Sequence, residues 1–546
     1  MIQPEQLKKN EPLVWSTGSG TDVWELFCAC IAGDLGTVHR LVNKVASIVR
    51  CHYGYRTPLY FAVRENQIAV ALFLLEHGTD PLGLAINDSL LDIARDRGYV
   101  DMEKLLEAKL ASLHGASARG EAAAAAVRER DLPRLRGLLD AEPELVHAGD
   151  GRGNQPIHWA VMTRQIDVID ELLARGADIN VRRQDGARPI HLSNGDYHCR
   201  GWRDVPKDTA TTPEAVLTHL IARGGSVDIW TAAHRGDLER VRKLLAADPA
   251  LANRVSDYNS YYLGCGSPLK NAAARGHLEI VKLLLDCGAD PNLPAEGIAP
   301  RGDALYAAVA GGYFEIAKLL LEHGAEPSAA VESSADCLSR AIDRGDQKMI
   351  DLLASYGATR SVEILAYYGD VRTAAAVFAA NPALADDPHA LENAAGQGHE
   401  PFIRLLLHYQ PDLAKRIAVG VKSQGPQAAT KTRELTELLF QQGMNPSQPD
   451  WLGITPLHQF ARKNDLENAA LFIEHGADLH ARDEDLCSTP LGWAAKFGNI
   501  QMAELLLGRG AKPNLADDPP WATPLAWASR RGRDQIVGLL KSHGAQ

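Results

Sequence analysis

"PLHQFARKNDLENAALFIEHGADLH", residues 456–480, decides the fold because the same pattern returns along the chain. It reappears as "PLGWAAKFGNIQMAELLLGRGAKPN" (490–514) and "PLAWASRRGRDQIVGLLKSHGAQ" (524–546), with Pro456, Pro490 and Pro524 spaced 34 residues apart. Upstream copies are "PIHWAVMTRQIDVIDELLARGADIN" (156–180) and "PLKNAAARGHLEIVKLLLDCGADPN" (268–292). Each piece has a physical reading. Proline opens a helix without losing a needed N–H. The short stretch after it carries small alanines that let helices approach closely. A Gly or Asn closes that helix. "EIVKLLL" places apolar residues at helical spacing and predicts a second helix. The Gly of "GAD" supplies the left-handed cap that ends it. The residues that follow run extended to the next turn.

A period near 33 residues with a T-P-L-H-x-A start resembles the ankyrin repeat. The resemblance covers nearly everything after residue 20. It implies an all-α ankyrin-repeat solenoid of roughly sixteen helix-turn-helix units with extended fingers. Clear units start near Thr57, Pro156, Pro189, Pro268, Ala304, Cys337, Pro456, Pro490 and Pro524. Weaker ones start near Glu25, Leu90, Ala122, Asp228, Ser361 and Ala390, and a degenerate unit spans about 414–445. One helix pair cannot bury its own apolar face, so stability is expected to come from stacking.

Length and composition fit this reading. A chain of 546 residues is too long for one ordinary core, and 45% hydrophobic residues allow burial throughout. No run of eighteen apolar residues exists, so no membrane span is expected. The N-terminus has no basic segment leading into an apolar one. A net charge of -12 argues against general binding of nucleic acid or anionic membrane. Eight scattered cysteines without a CxxC pair suit a reducing, cytoplasmic setting.

Residues 1–20 read as a leader and 21–111 as a first stack. Residues 112–120, within "KLASLHGASARGEAAAAA" (109–126), read as a joint or linker. A main stack then runs over 121–546, with a loop insertion at 194–213. A continuous superhelix with a defective joint is the other reading of that boundary.

The resemblance implies that fingers and first helices line a concave face. It also implies that the two positions before the G of "AAxxG" contact partner proteins. Near the C-terminus these are Arg462 and Lys463, Lys496 and Phe497, then Arg530 and Arg531. Five of the six are basic, which suggests a stripe for an acidic surface of a partner. Cations at helix C-termini would also serve the helix dipole alone. Tyr367 and Tyr368 hold the same paired positions, and two adjacent tyrosines cannot both enter one core face. The unit before them has little room for a finger, so packing into that gap is the competing reading. The long finger 256–267 carries Tyr258, Tyr261 and Tyr262, and Trp451 and Trp521 sit in later fingers. In the insertion "NGDYHCRGWRDVPKD" (194–208), Arg200, Trp202 and Arg203 are anchor-type residues.

Catalytic patterns are missing. There is no GxxxxGK[ST], GxGxxG after a strand, HExxH or GxSxG. The resemblance assigns His158, His191 and His458 to hydrogen bonds between neighbouring units. His77, His323 and His475 sit at helix C-termini, and His277 and His399 open second helices. Among those left over are His39, His52, His198, His219 and His234. His198 and Cys199 are adjacent and do not suit one zinc ion together, so no metal or cofactor is expected. The function read from the sequence is therefore a non-enzymatic scaffold holding another protein in the groove. The alternative is an enzyme or small-molecule binder with a pocket between the 194–213 loop and the 256–267 finger, near Trp230 and His234. A third reading has the stack presenting an effector or inhibitor surface to a host or phage protein.

Overall fold

The computed structural model describes residues 1–13, 16–82, 84–85, 88–183, 186–195, 205–207, 209–256, 264–293, 303–328, 330–331, 335–425 and 427–546. They form two compact bodies. The larger comprises 11–95 and 99–359, and the smaller comprises 1–10, 96–98 and 360–546.

Helix pairs build both bodies, as the repeat predicts. In the larger body Pro268–Ala274 is followed by Leu278–Asp286, and Asp303–Gly311 by Phe314–Glu322. In the smaller body Pro456–Lys463 is followed by Leu466–Glu474, and Pro490–Phe497 by Ile500–Gly508. First helices of neighbouring units pack on one another, which the alanines allow. Ala160, Ala232, Ala233, Ala272, Ala273 and Ala308 are buried to 4% exposure or less. Second helices contribute the larger apolar groups, such as Ile280, Val281 and Leu284. The β-structure among the described residues includes two short antiparallel pairs, Leu84–Ala85 with Asp88–Ser89 and Ala330–Val331 with Ala335–Asp336.

Helix starts follow the Thr-Pro logic. The hydroxyls of Thr57, Ser267 and Thr523 accept the N–H of Tyr60, Lys270 and Ala526. Such caps contribute about 1 kcal/mol each. His458 does two jobs. Its Nδ1 accepts the Thr455 N–H at 3.1 Å, and its Nε2–H donates to Ser488 O of the next unit at 3.0 Å. Burial holds this imidazole down to about 4, so it remains neutral and in the Nε2–H form. His191 reaches the next unit through Asp228, with Nε2 and Oδ2 2.8 Å apart.

Two further ladders join the units. The residue opening the second helix donates to the last turn of the preceding first helix. Gln67 reaches Ile31 O, Gln165 Val127 O, His277 His234 O, His399 Tyr367 O and Asn499 Ala461 O, at 2.7–3.0 Å. An Asn in the connection after the second helix bridges forward. Asn253 donates to Gly288 O and accepts from Asp290 N, both at 2.7 Å. Asn292 repeats this with Gly324 O and Glu326 N. These bonds satisfy carbonyls that every helix end leaves open. They also explain one glycine position. Gly236 and Gly276 have φ of 78° and 76°, and a Cβ there would lie 2.6 Å and 2.5 Å from the rings of His277 and Tyr313.

Several units depart from the pattern. Among the described residues the unit opened by Pro189 begins with a 3-10 turn, Pro189–Leu192. Ser193, Asn194 and Gly195 follow it, with Gly195 at φ 85°. The second helix, Pro213–Ala222, is capped by Thr212. In the 414–445 region the first helix shrinks to Leu413–Lys415, while the second runs Ala428–Gln441. Around 112–120, Val100–His114 ends at Gly115, and Ser117 caps Ala118–Arg128. Ala116 forms a parallel bridge with Gly149. In the smaller body, Leu7 is fully buried and the Ile2 N–H donates to Trp451 O.

Candidate partner-binding face

The C-terminal ends of the first helices recur in register, so the paired positions before the closing Gly or Asn form a row in each body. Tyr367 and Tyr368 end Val362–Tyr368, closed by Gly369 at φ 67°. Tyr367 is 43% exposed, and its ring meets that of Tyr368 edge-on at 5.3 Å. Tyr368 is half-buried. The pair therefore divides its duties. One ring packs and the other presents a rigid face.

The C-terminal basic residues separate into three environments. Arg462 and Lys463 are exposed, with the Arg462 guanidinium 5.9 Å from the Phe497 ring centre. Lys496 is buried at 4% exposure, its ammonium 4.1 Å from the centre of the Trp527 ring. Arg530 also lies over Trp527, at 4.4 Å. Arg530 and Arg531 pair with the two oxygens of Asp96 at 3.3 Å and 2.8 Å, and Arg530 donates to Trp521 O. Within the smaller body the ring of Trp521 carries Arg97 at 4.6 Å. Spacing along the sequence placed these six residues on one stripe. The geometry sends Lys496 inward and brings a carboxylate to the last two arginines.

The finger acids beside them are structural in part. Asp483 accepts from Leu486 N, Ser488 N and Trp493 Nε1, the last at 2.8 Å. Burial, with Asp485 nearby, pushes its carboxyl up to about 6. Asp150 plays the same part for Trp159 Nε1 at 2.7 Å.

Arg200, Trp202, Arg203, Tyr258, Tyr261 and Tyr262 lie outside the described residues, as do His198 and Cys199. Of the histidines left over by the repeat, His219 hydrogen-bonds Asp170 at 2.6 Å, beside the Arg223–Asp170 pair at 2.7 Å. The His39 ring lies tilted against Phe73, with ring centres 4.1 Å apart. Trp230 is buried and donates to Arg254 O. A shallow open groove follows the second helix of the insertion unit, lined by Ile166, Thr212, Glu214, Thr218 and His219. His219 is held there by Asp170, and among the described residues no hydroxyl or thiol of the lining hydrogen-bonds to it. Among the described residues no three His, Cys, Asp or Glu side chains gather as a metal site.

His234 stands apart. It ends the helix Ile229–Arg235, and Arg235, Lys270, Arg275 and His277 bear on it from its own unit and the next. Burial, then Arg275, His277, Lys270 and Arg235, pull its imidazole down to about 4. Sequence reasoning left His234 unexplained because its neighbours come from two different units.

Family models described as ankyrin repeats match residues 55–85, 152–184, 229–331, 269–365 and 427–517. A probable E3 ubiquitin-protein ligase of Oryza sativa subsp. japonica is 29% identical over 199 residues, which is 32% of this chain and 39% of that protein. An E3 ubiquitin-protein ligase of Arabidopsis thaliana is 28% identical over 196 residues, covering 32% of this chain and 38% of the relative. A human transient receptor potential cation channel, subfamily A member 1, is 26% identical over 153 residues, or 12% of its length. The chain thus spans about two fifths of the plant relatives. Relatives with such different titles share the repeat and not one activity.

Proposed function

Because the chain belongs to the ankyrin-repeat family, we propose that it is a non-enzymatic protein-interaction scaffold that holds a partner protein against its first-helix ends and fingers. Tyr367 carries this reading. It is a large aromatic group, 43% exposed and braced by the neighbouring Tyr368 ring, at a position where the repeat leaves side chains outside the core. Rigid aromatic residues of this kind dominate binding energies. Exposed Arg462 and Lys463 hold the same positions further along the chain, and with Phe497 they extend the proposed contact row. The plant ligases match a third of this chain, and the scaffold reading takes no ligase activity from them.

No helix among the described residues is long and apolar enough to cross a membrane. Cys28, Cys30, Cys51 and Cys287 carry free thiols, with Cys30 and Cys51 buried, which supports placement in a reducing compartment such as the cytoplasm.

Affinity capture of the intact chain, with mass spectrometry of what co-purifies, tests the reading. Tyr367→Ala is expected to deplete specific partners at least about tenfold, in the range of an aromatic hot spot, with the circular dichroism melt unchanged. Partners retained in full by Tyr367→Ala and by Arg462→Glu/Lys463→Glu would overturn it.

A further inference from the structure

Resting on the scaffold reading above, we propose that Arg462, Lys463 and Arg533, gathered around Phe497 in the smaller body, bind an acidic segment of the partner protein. Three successive units supply these residues. Arg462 and Lys463 end the helix Pro456–Lys463, Phe497 ends Pro490–Phe497, and Arg533 precedes Asp534–Ser542. Contacts between the units bring them together. The Arg462 guanidinium lies 5.9 Å from the centre of the Phe497 ring. Asn499 donates to Ala461 O at 2.7 Å and to Arg462 O at 3.0 Å, which ties the two helix ends side by side. From the following unit Arg533 covers Gly498, next to Phe497. A Cβ at Gly498 would lie 2.8 Å from Arg533 Nε and 3.0 Å from its Cζ. Phe497 is half-buried, and all three cations are exposed. The chain that carries them has a net charge of -12.

The fold does not answer these charges. Among the described residues Arg462, Lys463 and Arg533 form no ion pair. Asp465, two positions after Lys463, is turned to the N–H and the side-chain amide of Asn468. Asp534 stands in the first turn of its own helix, where the dipole favours an acid. Other arginines of these units are matched, Arg482 by Asp518 at 2.9 Å and Arg530 and Arg531 by Asp96. Helix energetics account for Arg462 and Lys463 at a C-terminus. They do not account for Arg533, which takes the N-cap place, faces the positive end of the dipole and makes no capping bond. In other units Gln67, Gln165, His277, His399 and Asn499 hold that place, and each donates to the preceding first helix. Arg533 makes no such bond among the described residues, so its donors stay open to a ligand. A carboxylate entering beside Phe497 meets two guanidinium groups, which take planar carboxylates in a two-pronged geometry. It also relieves their mutual repulsion. A partner's acidic side chains supply what the site lacks, and the negative chain as a whole disfavours a nucleic-acid backbone.

The test is fluorescence anisotropy of a fluorescein-labelled decaglutamate peptide titrated with the full chain. The expected result is saturable binding that weakens as salt rises. Arg533→Glu should weaken it about tenfold, the size of one reversed charge at contact distance near a surface. Arg533→Gln should weaken it about threefold, by removal of that charge alone. Because Gln67 and Gln165 serve the fold at the same place, Arg533→Gln should keep the circular dichroism melt of the native chain, which separates loss of binding from loss of folding. Arg509→Glu reverses an exposed cation at the far end of the second helix Ile500–Gly508 and should leave binding unchanged. Equal losses in Arg533→Glu and Arg509→Glu would reduce the effect to net charge and overturn the proposal. So would an absence of saturable binding, or Arg533-dependent binding of oligothymidylate tighter than that of the peptide. If these tests fail while Tyr367→Ala still depletes captured partners, the acidic-segment proposal falls and the scaffold reading stands.

Discussion

Gly120 offers a test in which secondary-structure propensity and tertiary packing predict opposite signs. It lies inside the helix Ala118–Arg128, at an ordinary helical φ, where alanine is favoured over glycine by about 0.5–1 kcal/mol. A Cβ at this position would lie 2.2 Å from Gly149 O, a backbone atom. The strand at Gly149 cannot retreat freely. Ser117 N–H donates to Gly149 O at 3.2 Å, and Gly149 N–H donates to Gly115 O at 3.1 Å. Forcing them apart loses about 0.5–1.5 kcal/mol per bond, and overpacking adds about 1–3 kcal/mol. Gly120→Ala should therefore destabilise this region by about 1–5 kcal/mol after the propensity gain is subtracted. Gly137→Ala is the control. Gly137 also sits mid-helix, in Leu132–Ala141, and a Cβ there meets nothing within 4 Å. It should stabilise by about 0.5–1 kcal/mol. Long repeat arrays do not unfold in one step, so the assay is native-state hydrogen exchange of the amides in 117–128 and 156–162. The expected pattern is faster exchange in Gly120→Ala and slower exchange in Gly137→Ala. Equal stabilisation by both would show that the 149 strand does not lie on this helix.

Three further outcomes follow from buried groups. Lys496→Glu should lower the thermal midpoint of the smaller body, because it puts a carboxylate against Trp527 in a buried place, whereas Lys463→Glu on the exposed surface should leave it within error. Stability should fall as pH drops from about 6.5 toward 4. His458 has its folded pKa lowered to about 4, so the unfolded chain binds the proton first. His458→Gln should flatten that part of the pH–midpoint curve relative to the native chain. Thr523→Ala should cost about 1 kcal/mol through loss of the cap on Ala526 N, read as a lower urea midpoint of the last unit's amides.

The repeat was legible because each unit writes its own turn, helix and cap in local residues. Pro at the helix start, the Ala pair, the apolar face of "EIVKLLL" and the Gly of "GAD" all act within a few positions. Features that depend on two units were harder to read. His277 and Asn253 look like ordinary surface residues in sequence, yet both satisfy helix-end carbonyls of a neighbouring unit. The surroundings of His234 were invisible for the same reason, since the charges that act on it include Arg275, His277 and Lys270 of the following unit. Lys496 was assigned to the surface by its paired position, but Trp527 of the following unit covers it. Asp96 could not be linked to Arg530 and Arg531 by any periodic argument. The break into two bodies at 359 and 360 has a faint trace in the chain. After Gly357 only three residues precede the Ser361 cap, too few for a finger.

The central claim is that a partner is held by the first-helix ends. Hydrogen exchange of the intact chain, with and without a captured partner, tests it most directly. The account predicts added protection at 229–236, 268–277 and 362–369, with the second helices Leu278–Asp286 and Val371–Ala380 unchanged. Protection confined to those second helices would contradict it.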